Sequence, residues 1–246
     1  MNNKFILREV HGRDTPYVKR LWQEVFHDPD EVLGTFFELY IDINLAVVAQ
    51  GETQLAGMGF LLPVGDLKQP DKPDLQCVMA YAIATAPAFR NVGVGSAITR
   101  ELLKIGTKHG FGAIVLRPAD DGLFGFYEKC GLTTGFYGFG NAPALTAETH
   151  GALVRVTPEE YRERREKLLA GITHIAFDRR ALTVQERLFG ENGGFFFLGD
   201  GCVAIDASAG EVVKEYLTPD CGEPRGERFG MANIPLNGGY FGFAFE

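Results

Sequence analysis

The sequence predicts an α/β fold, in which a mixed sheet has helices on both faces and a smaller C-terminal α+β domain follows. Strand-like and helical patterns alternate as far as Tyr137, in the order βααβββαβαβ. Beyond residue 150 this alternation gives way to one helix start and several short strand-like runs. Because 246 residues exceed a typical single domain, we expect two domains, over residues 1–140 and 150–246.

The first predicted domain opens with a strand and two helices. Short apolar or alternating runs between turn residues predict strands at Lys4–Glu9, Leu45–Ala49, Leu55–Leu62, Leu75–Thr85, Ala113–Leu116 and Thr133–Tyr137. Helical spacing predicts helices starting at Asp14 and Asp28, a helix over Ser96–His109, and a short one from about Leu123 to Lys129. We expect Asp14 to cap the first helix, because Pro16 follows it in the first turn.

The second predicted domain is separated from the first by a polar linker over Asn141–Thr149. Thr157 and Glu160 form a capping-box pattern that predicts a helix as far as Ala170. Later runs predict strands at Gly194–Leu198, Cys202–Ile205 and Gly239–Phe245, and a helix over Glu211–Tyr216. The alternative to a second domain is an extension that completes the first sheet or forms a dimer interface.

A glycine-containing loop, Arg90-Asn91-Val92-Gly93-Val94-Gly95, joins the strand that ends at Thr85 to the helix from Ser96. The N-terminus of a helix presents backbone N–H groups that suit a phosphate or pyrophosphate, and glycines let the anion approach closely. The loop is not a P-loop, which needs Lys before the helix. It is not a Rossmann fingerprint either, because Ile98 stands where that motif needs a small residue.

A second motif, Phe126-Tyr127-Glu128-Lys129-Cys130-Gly131-Leu132, follows some 30 residues after the loop. In this order and spacing, the two motifs resemble those of the GCN5-related N-acetyltransferase (GNAT) superfamily, and the resemblance covers about Lys4–Phe139. It implies a GNAT acyl-CoA N-acyltransferase fold, acetyl-CoA as the acyl donor, and direct transfer to the primary amine of a small molecule or peptide in a ternary complex. The layout of the tail resembles two-module members whose second unit has lost its cofactor loop.

The resemblance implies a cofactor site on the end of one strand and on the loop after it. The strand backbone at Ile83 is expected to bind the pantetheine arm and to polarise the thioester carbonyl. The expected cofactor-binding residues are Ile83, Ala84, Thr85, Arg90, Asn91, Val92, Gly93, Val94, Gly95 and Ser96. Asn91 replaces a usual glycine but tolerates positive φ. Val92 removes a frequent basic charge, so we expect backbone N–H groups to dominate phosphate binding.

Tyr127 is, by the same resemblance, the candidate catalytic general acid. A phenol is neutral at pH 7 and can donate a proton to the departing thiolate. The alternative is that Tyr127 packs in the core, the role we assign to Phe124 and Phe126. The general base stays open between a water relay and several carboxylates. Those carboxylates are Glu24, Asp28, Asp30, Asp120 and Asp121.

Composition and charge limit the classes of partner. A net charge of −8 argues against nucleic acid and mildly favours a cationic acceptor. The sequence has no signal-peptide pattern and no long apolar run, so we expect a cytoplasmic protein without a membrane partner. Its four cysteines and five histidines show no metal-like spacing, so no metal is expected. A homodimer is one assembly that the sequence allows. A non-catalytic acyl-CoA-binding or regulatory protein is the alternative function, and a longer acyl-CoA is the alternative donor.

Overall fold

The computed structural model of the protein describes residues 4–42, 45–139 and 146–245. The chain forms two compact units, each built from segments that are distant in sequence. The first unit comprises Met1–Pro63, Gln76–Thr133 and Met231–Ile234, and the second comprises Val64–Leu75, Thr134–Gly230 and Pro235–Glu246. Residues 141–145 of the predicted linker lie outside the described residues, and the rest of that linker leads into a short helix from Ala147.

Helices and strands both occur in quantity, which confirms the predicted mixed α and β class. The strands are β1 (Ile6–Glu9), β2 (Ala46–Gln50), β3 (Leu55–Lys68), β4 (Leu75–Thr85), β5 (Ala113–Leu116), β6 (Thr133–Tyr137), β7 (Val154–Val156), β8 (His174–Phe177), β9 (Gly194–Leu198), β10 (Gly201–Asp206), β11 (Val212–Leu217) and β12 (Arg228–Ala232). The helices are α1 (Thr15–Phe26), α2 (Asp30–Leu39), α3 (Val94–Lys108), α4 (Phe124–Glu128), α5 (Ala147–Gly151), α6 (Pro158–Leu168) and α7 (Arg179–Leu188).

The first unit is built on a mixed sheet with the strand order β1-β2-β3-β4-β5-β12. Strands β1, β2 and β3 are antiparallel neighbours, β4 and β5 run parallel, and β12 is antiparallel to β5. Helix α3 places Ile98 and Leu102 in a buried cluster with Val78 and Ile114 of the sheet. These helix residues are four apart and therefore share one face, which explains why this amphipathic segment forms a helix against the sheet.

The strands that border the predicted site were predicted closely. Strands β4, β5 and β6 have the predicted bounds, whereas β3 continues to Lys68, beyond the predicted end at Leu62. The extra residues pair with β8, from Gly65 opposite Phe177 to Lys68 opposite His174. The polar and glycine residues of this extension hid the strand, because a long-range partner rather than local propensity stabilises it.

The predicted cap of the first helix was wrong. Helix α1 begins at Thr15 as expected, but the side chain of Asp14 makes no capping hydrogen bond. Instead, its carboxylate accepts two hydrogen bonds from the Arg8 guanidinium, at 2.6 and 2.9 Å, and one from the backbone N–H of His11 at 2.8 Å. A charged, bidentate partner is stronger than a single backbone N–H, so the ion pair prevails.

The second unit contains a four-stranded antiparallel sheet with the order β11-β10-β9-β7. Helix α6 packs on β9 and β10 and begins with the predicted capping box. The hydroxyl of Thr157 accepts from the backbone N–H of Glu160, and the Glu160 carboxylate accepts from the backbone N–H of Thr157 at 2.9 Å. Asp178 caps α7 in the same manner through the N–H of Ala181, at 2.7 Å.

The prediction of a helix over Glu211–Tyr216 was wrong, because this segment forms strand β11. It pairs with β10, with Tyr216 opposite Val203 and Glu215 opposite Ala204. A register irregularity lies between Ala204 and Ile205, which pair with Glu215 and Val213. Cross-strand pairing with β10 overrides local propensity here.

The prediction of a strand over Gly239–Phe245 was also wrong. Only isolated bridges form, from Gly239 to Phe136 and from Tyr240 to His174. The segment is instead packed through its rings, since Phe243 stacks on Phe177 with ring centroids 4.7 Å apart. Alternating aromatic and glycine residues therefore reflect burial within the second unit rather than a sheet ladder.

Candidate active site

The alternation of side chains between the two faces of strand β4 breaks at Ala82. Ala80 belongs to the cluster packed around α3, whereas the ring of Tyr81 lies 5.1 Å from that of Phe36. Regular alternation would place Ile83 on the side of Tyr81, yet Ile83 packs against the α3 cluster. The φ of Ala82 is +48°, a left-handed conformation that costs a non-glycine residue about 1–2 kcal/mol. This one irregular residue turns the following backbone.

The residues that were expected to hold the cofactor converge next to this turn. Strand β5 pairs with β4 at Cys77, Val78 and Met79, and β4 continues beyond these pairs to Thr85. A methyl group placed on Gly95 would lie 3.5 Å from Thr85 Oγ1 and 3.3 Å from the Phe126 ring. The strand end, the glycine loop and the second motif therefore meet at one place in the first unit.

The loop at the start of α3 has the geometry of an anion site. Gly93 is the N-cap residue with φ +89°, and open space extends for at least 4 Å around the position of a Cβ on it. Asn91 has φ +63°, as its ability to replace glycine predicted. Helix α3 begins at Val94, so the N–H groups of its first turn have no partner within the helix. The exposed Arg90 adds a positive charge beside them.

The side chains of the loop differ in their surroundings. Val94 is buried in the cluster around α3, so only its backbone can face a ligand. Val92 is 40% exposed and packs little. Ser96 lies in the first turn of α3 and is partly buried. The loop thus offers backbone N–H groups and one arginine, and the dominance of backbone groups in phosphate binding stays a prediction.

Tyr127 lies on α4 and is largely buried, with 9% of its surface exposed. It packs in the same cluster as Val94, and its ring centroid is 4.9 Å from that of Phe126. Burial, with smaller contributions from Cys130 and Asp120, raises the pKa of the Tyr127 phenol to about 12. The phenol therefore stays protonated at neutral pH, which a proton donor requires.

The carboxylates near the site fall into two groups. Glu24, Asp30, Asp120 and Asp121 are exposed. Asp28 is partly buried, and its carboxylate accepts a hydrogen bond of 2.8 Å from the indole nitrogen of the buried Trp22. Asp30 also accepts a hydrogen bond from a side chain, the amide of Gln23, but Asp30 is exposed, whereas Asp28 is partly buried.

Two glycines of β3 position this site and were not singled out from the sequence. A Cβ on Gly57 would lie 2.6 Å from the carbonyl oxygen of Ala84 and equally close to Val94. A Cβ on Gly59 would lie 2.8 Å from Ile98. Glycine within a strand marks a close backbone approach, and that signal was present in the sequence. By contrast, no local pattern distinguishes Ala82 from an ordinary strand alanine.

Other features of the molecule lie apart from the predicted residues. The second unit contains a cavity of about 570 Å³. It is lined by Pro70, Tyr137, Gly171, Ile172, Thr173, Glu223, Pro224, Arg225, Gly226, Leu236, Asn237 and Gly238. Within the described ranges, no group of three or more His, Cys, Asp or Glu residues could hold a metal ion. Among the helices of the described chain, none is long and apolar enough to cross a membrane.

Several solved structures share this fold. A GCN5-related N-acetyltransferase from Kribbella flavida superposes with a TM-score of 0.62 at 15% identity, over 88% of this chain and 57% of that one. One from Anabaena variabilis gives 0.62 at 15% identity, over 88% and 59%. A putative acetyltransferase from Pyrococcus horikoshii gives 0.55 at 18% identity, over 88% and 71%. The chain thus spans less than two thirds of the length of the first two.

Sequence comparison identifies the family. No curated protein matches the sequence. The sequence model described as "Acetyltransferase (GNAT) family" matches residues 9–132, just over half of the 246 residues. This range contains both motifs and the converging residues described above. The chain therefore belongs to the acetyltransferase (GNAT) family.

Proposed function

We propose that the protein is an N-acetyltransferase that moves an acetyl group from acetyl-CoA to a primary amine within a ternary complex. The observation that carries this proposal is the convergence of Thr85, Gly95 and Phe126 beside the open N-terminus of α3. Every residue proposed below belongs to the first unit. We propose residues 1–140 as the catalytic domain and residues 150–246 as an accessory domain, although the first compact unit leaves out Val64–Leu75 and takes in Met231–Ile234.

The start of α3 would hold the pyrophosphate of the cofactor. Backbone N–H groups of the first helical turn and the positive end of the helix dipole favour a negative charge there. The open space at Gly93 leaves room for phosphate oxygens to approach the backbone. Arg90 would add a charged contact, and Asn91 maintains the turn without glycine.

The end of β4 would hold the pantetheine arm and the thioester. The left-handed Ala82 turns the backbone of Ile83, Ala84 and Thr85 relative to the regular part of the strand. A backbone N–H near Ile83 would stabilise the oxyanion that forms when the amine attacks the thioester carbonyl. Since α4 approaches Gly95 through Phe126, the thioester sulfur would lie on the side of Tyr127.

In the proposed reaction the acetyl group passes directly from sulfur to nitrogen, without a covalent intermediate on the protein. The uncharged amine nitrogen bonds to the carbonyl carbon, and collapse of the tetrahedral intermediate breaks the bond between that carbon and sulfur. Tyr127 gives its proton to the departing thiolate, and the nitrogen loses one proton to water. The phenol then recovers a proton from water, so the products are the acetamide and coenzyme A.

Calorimetric titration with acetyl-CoA tests the cofactor site. We expect micromolar binding to the wild type and at least a tenfold loss in Gly93→Trp, because the indole would fill the phosphate position. The matched control is Gly110→Trp at the opposite end of α3. Gly110 has φ +86°, close to the +89° of Gly93, and a Cβ there also meets nothing within 4 Å.

Three results would each contradict a part of the proposal. Equal losses in both variants would show that the effect is strain and not the phosphate site. Binding by the wild type without thiol release from any amine in a broad panel would favour the non-catalytic acyl-CoA-binding function. If Tyr127→Phe releases thiol at the wild-type rate, Tyr127 is not the proton donor.

A further inference from the structure

The connection between α1 and α2 holds one carboxylate in a defined position. Helix α1 ends at Phe26, and His27 turns the chain with φ +61°. The next residue, Asp28, accepts a hydrogen bond of 2.8 Å from Nε1 of Trp22, whose side chain is 1% exposed. A buried indole N–H needs an acceptor, so this bond fixes the Asp28 carboxylate against the first unit.

The indole that holds this carboxylate belongs to a cluster of aromatic rings. The Tyr81 ring lies 5.8 Å from Trp22 and 5.1 Å from Phe36, measured between centroids. Asp28 and the Tyr81 ring therefore both contact the Trp22 indole. Burial raises the pKa of the Tyr81 phenol, and the negative charge of Asp28 acts in the same direction. A carboxylate beside aromatic faces is the combination that attracts an organic cation, through a charge-assisted hydrogen bond and cation–π contact.

A cation already occupies the edge of the same aromatic cluster. Lys19 Nζ lies 4.8 Å from the centroid of the Phe37 ring, and the Phe37 ring is 6.1 Å from that of Trp22. An ammonium group of this chain therefore binds to one ring of this cluster. The same physical attraction applies to an ammonium group that comes from a ligand.

Tyr81, which packs on the indole that holds Asp28, lies close to the proposed acyl position. Tyr81 precedes Ala82, and Ile83 is only two residues beyond Tyr81, about 7 Å along an extended strand. Because Ala82 changes the face of the strand, Tyr81 and Ile83 project to opposite sides of it. An amine bound beside Tyr81 would thus approach the thioester from the side opposite α3.

We propose that Asp28, held by the indole on which Tyr81 packs, binds the ammonium group of the acceptor, so that the acceptor is a small cationic amine without an anionic group near its nitrogen. This inference rests on the proposed function and names its substrate class. Asp28 acts as a binding residue, which concentrates and orients the amine before it loses a proton to water. A carboxylate offers about four acceptor positions, and Trp22 uses one of them.

The inference can be tested by binding alone, because Trp22 is the only tryptophan of the chain. Titration with benzylamine at constant ionic strength should change the Trp22 fluorescence in a saturable manner. Benzyl alcohol and benzoate, which have the same ring but no positive charge, should leave it unchanged. In Asp28→Asn, whose side-chain oxygen can still accept from Trp22, the affinity for benzylamine should fall about tenfold or more.

The matched control is Glu31→Gln, which removes one exposed negative charge from the first turn of α2. Its affinity for benzylamine should equal that of the wild type. Equal weakening in Glu31→Gln and Asp28→Asn would reduce the effect to net charge and would overturn the inference. No fluorescence response of the wild type to benzylamine would overturn it as well.

A second measurement separates this inference from the proposed function. In a thiol-release assay with acetyl-CoA, kcat/KM should be at least about tenfold higher for benzylamine than for para-carboxybenzylamine. Asp28→Asn should raise KM for benzylamine and leave the Kd for acetyl-CoA unchanged. Thiol release that is insensitive to Asp28→Asn would remove the inference and keep the proposed function. A fluorescence response to benzylamine without thiol release from any amine would overturn the proposed function and leave the binding of an ammonium group at Asp28 standing.

Discussion

The guanidinium of Arg165 and the carboxylate of Glu215 meet at 2.9 Å inside the second unit, where neither side chain is more than 1% exposed. Arg165 also donates to the carbonyl oxygen of Ile175 at 2.7 Å, and Glu215 accepts from the hydroxyl of Tyr161. The pair therefore joins α6, β8 and β11 through hydrogen bonds as well as charge. Such a pair tolerates burial because each partner satisfies the other.

Loss of one partner of this pair should be strongly destabilising. Arg165→Met leaves the Glu215 charge buried without its counter-ion, and we expect the free energy of unfolding to fall by about 3–5 kcal/mol. Urea unfolding followed by circular dichroism measures the loss. Arg225→Met is the control, because Arg225 forms its ion pair with Glu223 on the surface and should change stability by less than about 1 kcal/mol. Equal losses in the two variants would contradict the assigned role.

The strain at Ala82 should be visible in stability. Ala82→Gly removes a left-handed alanine that costs about 1–2 kcal/mol, but it adds about 0.5–1 kcal/mol of unfolded-state entropy. The net result should be a change between zero and about 1.5 kcal/mol in favour of the folded state. Ala84→Gly, at a buried position of the same strand, should destabilise. Thermal unfolding of both variants tests this, and a clear loss in Ala82→Gly would show that the alanine is not strained.

Gly57 should be intolerant of even one added methyl group. A Cβ there would lie 2.6 Å from the Ala84 carbonyl oxygen, so Gly57→Ala should displace the end of β4 and destabilise by about 1–3 kcal/mol. Acetyl-CoA binding should weaken at the same time. Gly34→Ala on α2 is the opposite case, since its Cβ meets nothing and alanine favours the helix by about 1 kcal/mol. A destabilised Gly34→Ala, or an unaffected Gly57→Ala, would contradict this account of the packing.

Replacement of Tyr127 should affect catalysis more than binding. Tyr127→Phe keeps the ring and removes the proton donor, so kcat should fall by about 10²–10⁴ while the Kd for acetyl-CoA stays constant. Because the pKa of Tyr127 is raised to about 12, the wild-type rate should show no loss of the general acid up to about pH 10, where an ordinary tyrosine is half ionised. Stopped-flow rates across this range test the prediction, and a decline centred near pH 10 would contradict it.

The Arg8–Asp14 pair should make stability depend on pH in the acid range. The hydrogen bonds that the Asp14 carboxylate accepts from Arg8, together with the one from the His11 backbone, lower the pKa of Asp14 from 3.8 to about 2. The stabilisation is therefore complete above the unfolded pKa near 3.8 and is lost as the pH falls through about 2. Unfolding free energies of wild type and Asp14→Asn, measured from pH 6 to pH 2, should differ most at the upper end. Asp74→Asn, in the exposed Lys68 pair, should show a smaller difference, and equal effects would contradict the prediction.

The sequence by itself determined the family, the fold class and most elements of the first unit. Strands β4 and β5 and the loop from Arg90 to Gly95 were predicted from local pattern alone, because buried parallel strands are short apolar runs and helix starts have glycine signals. The expected positive φ at Asn91 follows from the residue type in the same way. These features depend on neighbours in sequence, so the sequence contains them directly.

Only the tertiary structure decided the features that depend on distant residues. The strand at Val212–Leu217 exists because β10 pairs with it, and the left-handed Ala82 is maintained by packing on both faces of β4. The bond from Trp22 to Asp28 and the buried pair of Arg165 and Glu215 likewise join separate elements. Contacts of this kind are worth more than local propensity, and no pattern within a short window of sequence records them.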